Sequence, residues 1–263
     1  MKKPNAIPSP KKVVDILPTQ CVALDGVFHG ILINMKVVQD FSNIPLVVFD
    51  WDGTILDTTA AIAISIRYAC ERLRLPVPSE TRARSVIGLG WREGMRIIAP
   101  TCPLEEWPEF RQLCEKRYRE EEEQIHLFTG IRELITALHA RGTHLAIATG
   151  NSRRGLERML DETGLRAFFV DTQTADENTS KPAPDMLEAV SLATGYEPHE
   201  MVMVGDTTHD LQMAAAFGCA GIGVTWGAMS AELLASSSPA AICSRREELA
   251  ALFGITLTSN GMK

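Results

Sequence analysis

The stretch Leu46-Val47-Val48-Phe49-Asp50-Trp51-Asp52-Gly53-Thr54 decides the fold. Four apolar residues, two of them Val, read as a short strand buried on both faces, as in a parallel sheet. The run stops at two carboxylates one residue apart, with a glycine directly behind them. Acids at the carboxyl end of a buried strand stand where open α/β sheets bind ligands. Gly53 permits a tight turn there, and Thr54 sets a hydroxyl beside the acids.

This spacing suits phosphoryl chemistry. An aspartate can attack phosphorus and form an aspartyl-phosphate, which splits one hard step into two easier ones. Attack on a phosphate dianion needs a cation against like-charge repulsion, and Mg²⁺ with oxygen ligands suits that role. The leaving alkoxide needs a proton, which a second carboxyl across the turn can supply. Asp50 is then the nucleophile and Asp52 the acid/base. A calcium loop starting at Asp50 would need Gly at its sixth position and Glu at its twelfth. This chain has Ile55 and Ala61 there, so that reading fails. A merely solvated acidic turn stays open on this segment alone.

Downstream of Thr54 the pattern is helical. Asp57-Thr58-Thr59 offers capping side chains to a helix reaching about Leu75, where Pro76 and Pro78 end it. Ser79 to Ile87 reads as a second helix, and a short helical piece ends at Pro100. Leu104 to Gln124 reads as a charged helix interrupted near Pro108, with Glu120 to Glu123 a solvated face. No strand is expected between Asp57 and His126. From Phe128 onward strands alternate with helices. Strands are expected at Thr143–Thr149, Phe168–Asp171, Met201–Gly205, Ala220–Thr225 and Ala241–Cys243. Helices are expected at Ile131–Arg141, Arg153–Thr163, Pro182–Thr194, Asp210–Phe217 and Arg245–Phe253. Repeated β-then-α implies a mostly parallel sheet covered on both faces.

Upstream, residues 1–43 read as an extension, poorly ordered where Met1 to Lys12 holds three prolines and four lysines. Met35 stands shortly before the first strand, and the native start is expected there. A chain of 263 residues can bury a sizeable core, and 45% hydrophobic with 22% charged content is ordinary for a globular protein. A net charge of -7 argues against general nucleic-acid binding. The six cysteines (Cys21, Cys70, Cys102, Cys114, Cys219, Cys243) form no C-x-x-C pair. They suit reduced thiols in the cytoplasm. No apolar run approaches membrane-spanning length.

Three further strand ends can supply partners to Asp50. The strand through Leu145-Ala146-Ile147-Ala148 ends in Thr149-Gly150-Asn151-Ser152, where a hydroxyl and free backbone N–H groups make a seat for phosphate oxygens. The same four residues also make a plain turn and helix cap. Lys181, at the mouth of a helix and fixed by neighbouring prolines, can hold a point charge over phosphate. Met203-Val204-Gly205-Asp206-Thr207-Thr208-His209-Asp210 repeats the opening design of buried strand, turn and carboxylates. Asp206 would complete a Mg²⁺ site with Asp50, and Asp210 would sit in it or just behind. His209 reads as a surface residue.

Asp50-Trp51-Asp52-Gly53-Thr54, Thr149 after an apolar strand, Lys181, and Gly205-Asp206…Asp210 together resemble the haloacid-dehalogenase-like superfamily of phosphohydrolases. All four motifs stand in the right order, from about Pro45 to Phe253. The resemblance implies an α/β, Rossmann-like core (residues 44–56 and 127–263) with an inserted all-helical cap at 57–126, acting as a lid hinged near Asp57 and His126. The placement is similar to the phosphoglycolate-phosphatase and β-phosphoglucomutase branch. By family role, Asp50 and Asp206 bind Mg²⁺ through carboxylates and Asp52 through its backbone carbonyl, while Thr149 and Lys181 hold the phosphoryl group; Gly150 and Asn151 join them as the phosphate seat read from the turn.

The leading expectation is a Mg²⁺-dependent phosphatase for a small phosphorylated metabolite, as a monomer or homodimer. A phosphomutase would use the same intermediate but pass the phosphoryl group to a sugar. A non-catalytic binding protein is the alternative from another class, against which the full set of acids argues. A dehalogenase has no use for Asp52 or Asp206, and a phosphonatase would need a cap lysine where the insert has only Lys116. Substrate choice is expected from Gly88, Gly90, Trp91 and Arg92, with Arg92 or Arg84 either able to meet a second anionic group or only solvating their helices.

Overall fold

A computed structural model describes residues 40–257. Most of the predicted extension, Met35 and Cys21 included, lies outside the described residues. The chain opens with strand β1 (Leu46–Phe49) and then four helices without a strand: α1 (Thr59–Arg72), α2 (Glu80–Arg84), α3 (Trp91–Ile98) and α4 (Trp107–Glu120). Alternation follows: α5 (Ile131–Ala140), β2 (His144–Thr149), α6 (Arg153–Thr163), β3 (Asp171–Thr174), α7 (Asp185–Thr194) and β4 (Met201–Gly205). The chain closes with α8 (Thr208–Phe217), β5 (Ala220–Val224), α9 (Ala231–Ala235), β6 (Ala241–Cys243) and α10 (Arg246–Leu252).

The six strands form one parallel sheet in the order β3-β2-β1-β4-β5-β6. The chain runs outward from β1 to β3, then returns to place β4 on the other side of β1. The topology therefore reverses between β1 and β4, where parallel sheets open a crevice beyond their carboxyl ends. Side chains of β1 alternate between two cores. Val47 and Phe49 join Leu134, Ile135, Leu138 and Ile147 on one face. Leu46 and Val48 join Ala146, Met186, Val190 and Met203 on the other. All four β1 residues are fully buried, which holds the register Phe49↔Ile147 and Phe49↔Val204.

The helical block has its own apolar cluster, with Cys70, Val86, Met95, Ile98 and Phe110 buried in it. It returns to the sheet where Leu56 bridges Leu127 and the Asp57 N–H donates to the His126 carbonyl at 2.9 Å.

Three expectations need correction, and one element was not expected at all. The third strand is Asp171–Thr174 rather than Phe168–Asp171. Phe168 and Phe169 instead pack half-buried under the sheet, and the edge strand, polar and mostly half-buried, carries no apolar signal. Helix α7 starts at Asp185, after a turn closed by the Ala183 N–H on the Ser180 carbonyl; Pro184 disfavours helix at the residue before it. Pro108 does not interrupt a helix but stands in the first turn of α4, where its missing N–H costs nothing. The short helix α9, which no pattern announced, lies between β5 and β6.

Candidate active site

The carboxyl ends of β1, β2 and β4 deliver Asp50, Thr149 and Asp206 to one buried place, and the start of α8 adds Asp210. Asp50, Thr149, Asp206 and Asp210 are all at 0% exposure, Lys181 at 1% and Asp52 at 7%. So many buried ionisable groups must be held by one another.

Asp50 Oδ1 accepts the Trp51 N–H at 2.7 Å and lies 2.9 Å from Lys181 Nζ. Lys181 also donates to Asp210 Oδ1 at 2.6 Å. The second oxygen of Asp210 accepts from the backbone N–H (3.1 Å) and hydroxyl (2.7 Å) of Thr207, within the capping box that opens α8. Asp206 accepts from the Thr54 hydroxyl at 3.0 Å and from the Ala228 N–H at 2.7 Å. Gly53 has φ +79°, and a Cβ there would stand 2.2 Å from Asp206 Oδ2. Only glycine fits that turn.

Asp50 Oδ2 has no hydrogen-bond partner. Oxygens of Asp50, Asp206 and Asp210 lie within 4.8 Å of one another. If all are ionised, three carboxylates against the one Lys181 ammonium leave two negative charges in excess. An orphaned buried oxygen in a hard, all-oxygen donor set with that excess fits a divalent cation.

Burial pushes Asp50 well above the usual carboxylate range; Lys181 opposes the shift, and Asp210 and Asp206 add to it. Asp206 is raised to about 7, by burial first and by Asp210 second. Burial alone would lower the Lys181 ammonium, but Asp210 and Asp50 outweigh it and raise it.

Asp52 stands apart from this network. Its oxygens accept from the Thr58 hydroxyl at 2.8 Å and the Asn151 side-chain amide at 3.2 Å. Burial raises it, and those two hydrogen bonds pull it partly back. A carboxyl raised in this way can carry a proton to a leaving group. Thr58 was expected to cap α1, yet its side chain makes no cap there and donates to Asp52, a stronger acceptor.

Beside Asp52 opens a cleft of about 580 Å³, walled by the β2–α6 turn and the helical block. Gly88, Gly90 and Trp91 line it, as do Gly150 and Asn151. Arg92 is exposed and does not line it; nor does Arg84, which binds the Thr59 hydroxyl at 2.8 Å and Glu80. The expected second-anion role therefore falls on neither arginine here. Tyr118 of α4 does line the cleft, and its hydroxyl donates to the Met159 sulfur at 3.9 Å. No spacing in the sequence flagged it. The 86–91 loop is pinned over the acids. The Gly90 N–H donates to the Ser180 hydroxyl at 2.6 Å, and His209 Nε2 stands 3.0 Å from the Ser85 carbonyl. His209, expected at the surface, thus ties α8 to the helical block.

The chain matches the family model described as haloacid dehalogenase-like hydrolase over residues 47–224. It is 30% identical over 246 residues to a phosphoglycolate phosphatase of Salmonella typhi, covering 85% of this chain and 98% of that one. A phosphoglycolate phosphatase of Vibrio vulnificus is 29% identical over 225 residues, covering 82% and 97%. Among solved structures, a predicted phosphoglycolate phosphatase from Haemophilus somnus superimposes with TM-score 0.67 at 25% identity, covering 76% of this chain and 93% of that one. A hydrolase from Pseudomonas syringae has the same fold, with TM-score 0.73 at 21% identity over 80% and 99% of the two chains.

Proposed function

Since the chain belongs to the haloacid dehalogenase-like hydrolases and is a phosphoric monoester hydrolase, we propose that Asp50 attacks the phosphorus of a small phosphomonoester while Asp52 handles the protons. One observation carries the assignment. Asp50 alone of the clustered acids keeps a buried oxygen without a partner, next to the cleft that Asp52 lines.

In the first step an Asp50 oxygen bonds to phosphorus as the ester P–O bond breaks, and the departing alkoxide takes the Asp52 proton. In the second, Asp52 removes a proton from water, whose oxygen attacks phosphorus and releases Asp50 and inorganic phosphate. Thr58 and Asn151 hold Asp52 in orientation through both steps. Lys181 offsets negative charge beside Asp50. The Thr149 hydroxyl and the Gly150 backbone, with Asn151 beside them (its N–H donates to Thr149 Oγ1 at 3.2 Å), are the seat for phosphoryl oxygens in this reading. Mg²⁺, held by Asp50, Asp206 and the Asp52 backbone carbonyl with Asp210 at hand, would supply charge neutralisation and polarise the phosphoryl group.

Residues 57–126 form the cap in this reading, and residues 44–56 with 127–257 the described part of the core. The cytoplasm suits the thiols of Cys70, Cys102, Cys114 and Cys219. With p-nitrophenyl phosphate, activity should require Mg²⁺, EDTA should abolish it reversibly, and Asp50→Asn should leave none detectable. Full turnover by metal-free enzyme would contradict the assignment.

A further inference from the structure

Beyond Asp52 the cleft turns apolar. Ile62 and Ile66 of α1, Leu89 of the 86–91 loop, Trp91 and Met95 of α3, and Phe110 of α4 all line it. Ile62, Ile66, Leu89 and Trp91 are only half-buried, so apolar surface faces the opening where a ligand would remove it from water. Trp91 is held in place, edge-on to Phe110 at 5.8 Å and with the Arg111 guanidinium 5.7 Å from its ring centre. A volume of about 580 Å³ is the size that encloses a drug-sized ligand, far more than a two-carbon acid fills.

Four arginines, Arg111, Arg119, Arg154 and Arg158, line the cleft with Asp52, Glu115 and Asp176, and all four arginines are exposed. Arg158 pairs with Glu122 at 2.7 Å and Glu162 at 3.0 Å, and Arg111 pairs with Glu115 at 3.1 Å. Among the described residues, no buried unpaired cation lines the cleft to receive a substrate carboxylate.

We propose that this cleft selects phosphomonoesters whose alcohol carries an apolar body of ring size or larger, rather than a short carboxylic acid. The proposal rests on the phosphatase reading above. In it the phosphoryl group sits at Asp50, the ester oxygen near Asp52, and the apolar body against Ile66, Leu89 and Trp91.

The test is steady-state kinetics with Mg²⁺ on primary alkyl phosphates from ethyl through hexyl, 2-phenylethyl phosphate and 2-phosphoglycolate. The alkoxides of the alkyl series leave about equally well, so kcat/KM reports binding of the body. It should rise by roughly threefold per methylene, approaching 10²-fold from ethyl to hexyl, with 2-phosphoglycolate near the bottom. Leu89→Ala should lower kcat/KM for hexyl phosphate more than for ethyl phosphate. A flat or falling series, or preference for 2-phosphoglycolate, overturns the inference and leaves the phosphatase reading standing. No hydrolysis of any ester, p-nitrophenyl phosphate included, overturns both.

Discussion

Asp206 and Asp50 both carry raised carboxyls into the site's response to pH. Burial and Asp210 raise Asp206 to about 7 in the folded chain, whereas an unfolded aspartate titrates near 3.9. Between those values the folded state holds a proton that the unfolded state has lost. The contribution to stability is therefore full below about 4 and is lost as pH rises through about 7. A cation must displace that proton, so its affinity should climb over the same window. Thermal unfolding of EDTA-treated protein with and without added Mg²⁺, at pH 5 and pH 8, isolates the site. Mg²⁺ should raise Tm more at pH 8 than at pH 5; the reverse order would contradict the cluster as a cation site. At this scale the sequence was legible for residues on strand ends. Asp50, Asp52, Thr149, Asp206 and Lys181 could be named because apolar runs stop at them or prolines frame them. Thr58 and Tyr118 could not, because their partners, Asp52 and Met159, are brought to them by tertiary packing alone.

Among the elements, the contact that matters most is that of the 86–91 loop with the β2–α6 turn. A Cβ at Gly150 would stand 2.5 Å from the Gly88 carbonyl oxygen and 2.6 Å from that of Leu89. The obstructing atoms are backbone, so Gly150→Ala can be accommodated only if the loop lifts away. Gly150 has no positive φ to make alanine strained in itself, and the core should fold as before. Displacement of this size should lower kcat/KM by about 10²-fold, with the far-UV circular dichroism spectrum unchanged. Wild-type kcat/KM in that variant would show that the loop need not close on the turn. Apolar runs bounded by acids or glycine revealed the central strands β1, β2, β4 and β5 well. The edge strand β3, Asp-Thr-Gln-Thr, was not legible, since its pairing Ala146↔Asp171 rests on backbone hydrogen bonds rather than side-chain burial. The Ser180 hydroxyl that holds Gly90 was not legible either.

For the whole molecule, the parallel sheet and the inserted helical block followed from one change of pattern, all helix from Asp57 to about His126 and alternation after it. How the block sits on the sheet did not follow, because no sequence period records the His209–Ser85 and Gly90–Ser180 contacts that fix it. The reaction needs both parts, acids below and cleft walls above, and its signature is a phosphoryl group carried on the protein itself. Asp52→Asn keeps the nucleophile but loses the base that activates water, so the intermediate should form and persist. A rapid-quench experiment with p-nitrophenyl phosphate, whose leaving group needs no proton, measures this directly when paired with the mass of the quenched protein. The account predicts a nitrophenol burst approaching one equivalent per enzyme and one phosphoryl group on Asp50, with steady turnover slowed by about 10²–10⁴-fold. Wild-type hydrolysis of an alkyl phosphate by the Asp52→Asn enzyme, with no phosphoryl group trapped on Asp50, would contradict it.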